Sequence, residues 1–157
     1  MSAVFSADRL LRFELRRKTG LGSGRVTFVM FNPSTADEES NDPTIRRCIG
    51  FANRWGFGEL VVVNLLPIRS PDPAEAWRWY RSLIGAPPSE LATNAYYIRR
   101  SAEQSDVTVA AWGSIAKSIG WDARDKFSID FQCLGVNSDG QPKHPLYVAK
   151  STELRAL

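Results

Sequence analysis

Three short, almost wholly apolar runs constrain the fold of this chain more than any other feature of its sequence. They are VTFVMF at 26–31, LVVVNL at 60–65 and VTVAAW at 107–112. A strand with one face in water alternates apolar and polar residues, whereas a strand covered on both faces by helices is apolar throughout. The runs therefore predict three buried strands in a central, mostly parallel sheet.

Two further segments are predicted to be strands. Residues 11–17 alternate as Leu-Arg-Phe-Glu-Leu-Arg-Arg, which is typical of a half-exposed strand, and the glycine-rich segment 19–24 that follows is typical of a flexible turn. We therefore predict an N-terminal β-hairpin between the strand at 11–17 and the strand at 26–31. A fifth strand is predicted at 129–134.

Helix-start signals fill the gaps between the predicted strands. Asp42-Pro43 and Asp72-Pro73 each supply a capping carboxylate followed by a proline suited to the first helical position. Pro87-Pro88-Ser89 precedes a third amphipathic segment, and a short helix is expected after Gly113. This order of elements favours an α/β fold of the three-layer α/β/α sandwich type, and 157 residues suit a single domain over 1–157.

Composition excludes several classes of protein. No apolar run approaches the roughly 18 residues that span a bilayer, and the N-terminal segment has no apolar signal core, so we expect a cytoplasmic protein without a membrane partner. Cys48 and Cys133 are far apart and form no metal-binding pattern, and the acids at 37–42 suit a solvated loop, so no metal or cofactor is expected. The net charge of +3 permits a polyanionic partner without requiring one.

Polar residues follow the predicted buried strands at the edge where ligands bind to parallel sheets. The carboxyl ends of such strands converge, and their loops form a shared crevice. The loops in question begin at Asn32, Asn64, Gly113 and Asn137, the last of them running to Tyr147. We predict that these loops build one pocket.

Three side chains in these loops have both a structural and a functional interpretation. Asn64 ends an apolar strand, where it either closes a turn or pairs with the edge of a planar ligand such as a nucleobase. Asn32 has the same two interpretations, and Pro33 would make its backbone rigid. His144, the only histidine, lies in a loop and is either a structural residue or a functional one.

Long stretches of the chain resemble a bacterial and phage family of conserved domains of unknown function, from about Leu11 onwards. They are MFNPSTADEESNDPTIRRCIGFANRWGFGELVVVNLLPIRSPDP, VAAWGS and CLGVNSDGQPKHPLY. The order of the motifs is also similar, more distantly, to that of the uracil-DNA glycosylase superfamily, whose members are α/β/α proteins with a four-stranded parallel sheet.

The more distant resemblance implies a role for each motif. MFNPS is similar to the motif that holds the hydrolytic water, which implies that role for Asn32, and VVNLLPIRSP implies base recognition by Asn64. AWGSIAKSI resembles the segment whose glycine follows a third strand, and HPLY resembles a His-Pro-Ser motif with a wedge residue. Leu146 stands where that motif has serine, and the chain has no four-cysteine set for an iron–sulfur cluster.

The function implied by the resemblance is hydrolysis of the N-glycosidic bond of uracil or a modified base. Asn32 and His144 would be catalytic, and the partner would be nucleic acid, DNA rather than RNA, or a nucleotide. Two alternatives stay open: a nucleotide-binding or nucleic-acid-binding module without catalysis, and a hydrolase of nucleosides or other small molecules. The residues predicted to contact the substrate are Phe31, Pro33, Ser34, Asn64, Phe51, Arg46, Arg47, Arg69, Gly113, Ser114, Leu146 and Tyr147.

Overall fold

A mixed sheet of seven strands forms the centre of the part of the chain that the structure describes. The computed structural model describes residues 1–85 and 88–157, apart from the side chains of residues 120–122. Pro87, part of the predicted start of the third helix, lies outside the described residues. The strands are β1 (Ser2–Phe5), β2 (Arg12–Lys18), β3 (Arg25–Met30), β4 (Glu59–Asn64), β5 (Val107–Ala110), β6 (Phe131–Cys133) and β7 (Arg155–Ala156).

Four α-helices occur in the described ranges. They are α1 (Pro43–Arg54), α2 (Pro73–Ser82), α3 (Ser89–Glu103) and α4 (Lys117–Phe127), with short 3₁₀ turns at Ser114–Ala116 and Pro145–Tyr147. Two predicted caps are confirmed, because the Asp42 carboxylate accepts the backbone N–H of Ile45 at 2.8 Å and that of Asp72 accepts Ala74 N–H at 2.9 Å. No helix in the described part of the chain is long and apolar enough to cross a membrane.

The strand order is β1-β2-β4-β3-β5-β6-β7. The three pairings within β4-β3-β5-β6 are parallel, and the three outer pairings are antiparallel. The prediction of an α/β fold is confirmed, whereas the described sheet is mixed rather than mostly parallel. The difference arises on the outer sides of the sheet: β1 and β7 are too short to leave a hydrophobic pattern, and the direction in which β2 pairs with β4 depends on contacts between distant segments.

The predicted hairpin between β2 and β3 is wrong. β2 pairs with β1 on one side and with β4 on the other, so β4 separates it from β3. The antiparallel pair at the N-terminus is therefore β1–β2. Alternation along β2 reveals a strand with one covered face but does not identify its neighbours, since those depend on pairing between distant segments.

Side chains on the two sides of the sheet enter two separate hydrophobic clusters. Val26, Phe28 and Met30 of β3 pack in a cluster with Ile45 and Phe51 of α1. The other cluster contains buried side chains from β3, β4 and β5 together with Ala76 of α2, Ile98 of α3 and Ala123 of α4. Burial on both sides explains why the runs in these strands are continuous rather than alternating.

Candidate functional site

The ends of β3 and β4 meet the His144 loop around a cavity of about 250 Å³. Met30 and Asn64 are register partners at the ends of the parallel strands β3 and β4, so Asn32 follows two residues beyond that pair. Asn32, Asn64 and His144 all line the cavity. Its other walls include Phe31, Pro33, Ser34, Trp112, Ile115 and Tyr147.

Asn64 has an unpaired amide group. The residue is 1% exposed, and its Nδ2 has no hydrogen-bond partner within the described residues. Its backbone is firmly held, because Asn94 Nδ2 donates to the carbonyl oxygens of Asn64 at 2.9 Å and Leu65 at 3.1 Å. A buried donor without an acceptor costs about 1–3 kcal/mol. A ligand acceptor in the cavity would remove that cost.

Asn32 uses its amide hydrogens inside the protein. Its Nδ2 donates to the carbonyl oxygens of Pro33 at 3.0 Å and Ser70 at 2.9 Å, with a longer contact to that of Ile68 at 3.4 Å. These bonds join the loop after β3 to the loop after β4. Oδ1 makes no hydrogen bond in the described part of the structure, so it is the atom of Asn32 with acceptor capacity to spare.

His144 is a neutral hydrogen-bond donor at neutral pH. Its Nδ1 accepts the backbone N–H of Leu146 at 3.3 Å, which leaves the ring proton on Nε2. Burial lowers the pKa of the imidazole to about 4, and the Asp42 carboxylate opposes that shift. Gly113 lies against this residue with φ of +74° and ψ of 173°, and a Cβ at Gly113 would come within 3.6 Å of His144 Cβ.

Arg12 also lines the cavity, although it is not among the site residues predicted from the sequence. It is 2% exposed, and its Nη1 donates to the carbonyl oxygen of Ala36 at 2.8 Å. Val4 pairs with Glu14 whereas Phe5 pairs with Arg12, so Phe13 is an extra residue in β2, as in a β-bulge. Strict alternation would place Arg12 on the same side of the strand as Glu14, whereas the bulge changes the side that Arg12 faces. No feature of the sequence marks the bulge.

A second, larger depression lies next to the cavity, and four of its eight lining residues are cationic. We call it the basic groove: it measures about 550 Å³ and is lined by Pro43, Arg46, Arg47, Gly50, Phe51, Arg54, Leu146 and Lys150. Arg47 connects the groove to the cavity wall, since its guanidinium donates to the carbonyl oxygens of Pro145 at 3.2 Å and Val148 at 3.1 Å. The turn that carries His144 is thereby fastened to α1.

Nine of the twelve predicted substrate contacts lie at one of these two places, whereas Arg69, Gly113 and Ser114 line neither. Phe31, Pro33, Ser34, Asn64 and Tyr147 line the cavity, whereas Arg46, Arg47, Phe51 and Leu146 line the basic groove. Tyr147 is 82% exposed, and its ring centroid lies 5.5 Å from that of His144.

Three of the predicted residues lie elsewhere or serve the packing. Phe51 is 1% exposed and stacks on Trp55 in the core, with ring centroids 5.1 Å apart. Arg69 lies over the Phe5 ring at 5.0 Å and lines neither the cavity nor the groove. The Ser114 hydroxyl accepts a hydrogen bond from Asn137 Nδ2 at 3.0 Å outside the cavity.

The acidic loop at 37–42 serves the backbone. The Asp37 carboxylate accepts the N–H groups of Glu39 at 2.9 Å and Ser40 at 2.8 Å, and these bonds lower its pKa to about 2. Asp42 caps α1 and reaches the cavity. Within the described residues, no three His, Cys, Asp or Glu side chains are grouped as a metal site would require.

Comparison with known proteins places the chain in a family but gives it no characterised relative. No curated protein and no solved structure matches it. The distant likeness to uracil-DNA glycosylases therefore gains no support and stays a prediction. The predicted resemblance to a family of conserved domains is confirmed. A family described as "Protein of unknown function (DUF1643)" matches residues 12–146. This span contains every residue that lines the cavity except Tyr147. The chain belongs to this family.

Proposed function

We propose that the cavity binds a nucleobase and that the protein hydrolyses the N-glycosidic bond of uracil or a modified base, with DNA as the favoured substrate. The observation that carries this proposal is the unpaired Nδ2 of Asn64, buried in a cavity that Phe31 and Trp112 help to enclose. An asparagine amide offers a donor and an acceptor in one plane, which matches the edge of a base.

The fold supports the same proposal at a coarser level. Helices contribute to hydrophobic clusters on both sides of the sheet, as a three-layer α/β/α sandwich requires. The cavity lies at the carboxyl ends of the parallel strands β3 and β4, where α/β sheets bind their ligands. Helix contacts on both sides of the sheet and a cavity at this edge both support a glycosylase-like protein.

His144 and Asn32 have chemistry suited to cleavage. When the bond from C1′ to the base breaks, its electron pair moves to the base, and negative charge builds on a carbonyl oxygen that the Nε2–H of His144 would bind. Asn32 Oδ1 would accept a hydrogen bond from the water that attacks C1′. This water needs positioning more than deprotonation, because the sugar is already close to a cation, and its proton passes to the released base through solvent.

The basic groove suits the DNA backbone. Four cationic side chains line it beside the turn that carries His144, and Leu146 adds an apolar surface. A base turned out of a duplex into the cavity would leave its flanking phosphates outside, where such a groove can hold them. Phosphate contacts of this kind make binding sensitive to salt.

A second candidate function is base binding without cleavage. It is favoured by Asn32, whose Nδ2 is committed to backbone carbonyl groups and whose first role is therefore to join two loops. In this case the cavity would recognise a modified base or nucleotide, and no bond would break.

The test is to incubate the protein with DNA and RNA carrying a panel of modified bases and to detect released base by mass spectrometry. Release that is lost in Asn32→Ala and His144→Ala variants and kept in the exposed control Arg78→Gln supports the hydrolase. Binding without release supports the module. Activity on free nucleosides alone, or neither binding nor release, contradicts the proposal.

A further inference from the structure

Arg12 places a buried positive charge in the cavity wall, and no carboxylate of the described residues forms an ion pair with it, although Asp42 lines the same cavity. The guanidinium is almost completely buried, makes no ion pair within the described residues, and has an Nε with no hydrogen-bond partner there. Within the described residues, the guanidinium donates a hydrogen bond from Nη1 to the carbonyl oxygen of Ala36. A buried charge is costly unless it is paired, so a counter-charge supplied by a ligand would be strongly favoured.

The charged groups around Arg12 do not supply that counter-charge fully. Burial lowers the pKa of the Arg12 guanidinium to about 10; Asp42 and Asp37 oppose this shift, while Arg69 and Arg17 add to it. The Asp42 oxygens are engaged by the N–H of Ile45 at 2.8 Å and that of Ala36 at 3.4 Å. Arg12 and Asp42 thus bring one charge of each sign to the cavity wall, while the buried side-chain atoms left without a partner there, Arg12 Nε and Asn64 Nδ2, are both donors.

We propose that Arg12, together with Asn64, makes the cavity select heterocycles that bind as anions. The substrate class is that of bases carrying two ring carbonyl groups and an acidic ring N–H between them. Ionised, such an edge presents two oxygens and a nitrogen as acceptors and no donor, which matches the unpaired Nε of Arg12 and Nδ2 of Asn64. The inference rests on the proposed base-binding function and names its substrate class.

A delocalised ring anion fits these surroundings better than a phosphate group. The cavity wall includes Val62 and Trp112, whose side chains cannot solvate a compact, strongly hydrated anion. A guanidinium is itself planar and weakly hydrated, and it pairs readily with planar, delocalised anions. The basic groove outside offers the better place for phosphate groups.

The experiment compares the dissociation constants of 1-methylated bases, in which the one ring N–H left is that between the two carbonyl groups, and this N–H becomes more acidic along the series uracil, 5-fluorouracil and 5-nitrouracil. 5-Ethyluracil serves as the size control, because its ring N–H is as weakly acidic as that of uracil. At neutral pH we expect 5-nitrouracil to bind about tenfold more tightly than uracil and 5-ethyluracil, since a charge-assisted hydrogen bond replaces a neutral one. Inorganic phosphate is included as a competitor.

Variants separate charge recognition from folding. Arg12→Gln should remove the preference for the acidic base, and Arg12→Lys should retain part of it because the charge is kept. Arg17→Gln is the matched control: Arg17 is also buried in β2, but its guanidinium is bonded to Asn41 Oδ1 at 2.6 Å and does not line the cavity. This variant should keep the preference.

The outcomes are distinguishable. Uracil and 5-nitrouracil binding equally to the unaltered protein would overturn the inference and leave base recognition intact, even if Arg12→Gln fails to fold. Displacement of the bases by low concentrations of phosphate would assign the anion site to phosphate and also overturn the inference. If no base binds and none is released from DNA, both the inference and the proposed function fail.

Discussion

At the scale of single residues, Asn64 carries a cost in the free protein that a ligand would remove. Leucine has the same branch at Cγ and no polar atoms, and the adjoining cavity has room for its larger methyl groups, so Asn64→Leu should leave the free energy of unfolding unchanged or raise it. The same change should weaken binding of a base by about 1–3 kcal/mol. Urea unfolding and calorimetric titration measure the two effects.

Asn94 is the matched control for that substitution. It is equally buried, but its Nδ2 donates to the backbone carbonyl groups of Asn64 and Leu65. Asn94→Leu should therefore lower the free energy of unfolding relative to Asn64→Leu, because two buried carbonyl groups lose their donor, while removal of the unpaired Oδ1 of Asn94 offsets part of that loss. Equal destabilisation by both variants would mean that the Asn64 side chain is structural.

His144 should make stability depend on pH in a defined window. Burial lowers its pKa from the ordinary value of 6.5 to about 4 in the folded protein. The unfolded chain therefore binds more protons between these values, so the contribution of His144 is complete above pH 6.5 and is lost as the pH falls towards 4. The free energy of unfolding, measured at a series of pH values for the unaltered protein and for His144→Gln, tests this prediction.

Because His144 is the only histidine, the difference between the two proteins isolates its contribution. The unaltered protein should lose more stability than His144→Gln as the pH falls through the window. Parallel curves would contradict the lowered pKa. An imidazole titration followed by NMR gives the value directly.

At the scale of secondary structure, Gly113 joins β5 to the first 3₁₀ turn in a conformation that only glycine adopts readily. Its φ of +74° with ψ of 173° is strained for any residue with a Cβ. Gly113→Ala should lower the free energy of unfolding by about 1–3 kcal/mol and disturb the neighbouring His144. Chemical unfolding and the NMR shift of the imidazole measure the two effects.

Gly50 provides the control for a glycine without such a requirement. It lies within α1, and a Cβ there would meet no atom within 4 Å. Gly50→Ala should raise the free energy of unfolding by about 0.5–1 kcal/mol, since alanine loses less backbone entropy in a helix. A loss of stability in both variants, or in neither, would contradict the strain assigned to Gly113.

Among the secondary-structure elements and site residues, the sequence predicts those that depend on local signals and misses those that depend on strand pairing. Local signals identify elements: Asp42 and Asp72 mark helix starts, and the continuous apolar runs locate β3, β4 and β5 to within two residues at either end. The convergence of Asn32, Asn64 and His144 follows from the rule for strand ends. Arg12 was missed because the bulge at Phe13 changes the side it faces, and β2 was given the wrong neighbour because strand pairing is a long-range property.

At the scale of the whole molecule, the cavity and the basic groove are held as one unit by Arg47. Its guanidinium joins α1 to the turn at Pro145–Tyr147 through the carbonyl groups of Pro145 and Val148. Removing it would alter the cavity and the groove together. The exposed cations of the groove, Arg46 and Lys150, are better probes of nucleic-acid binding because they leave this connection intact.

Arg46→Gln and Lys150→Gln should each weaken DNA binding to a similar degree for all sequences. The slope of log affinity against log salt concentration is negative, and each lost phosphate contact makes it less steep by about 0.9 for a duplex and about 0.7 for a single strand. Arg78→Gln on α2 removes the same charge outside the groove and should leave the slope unchanged. The net charge of +3 falls by one in each of the three variants, so total charge is matched. Fluorescence anisotropy at several salt concentrations measures the slopes. If the slope became less steep by the same amount in all three variants, DNA binding would depend on the total charge of the protein. The groove would then have no specific part in binding.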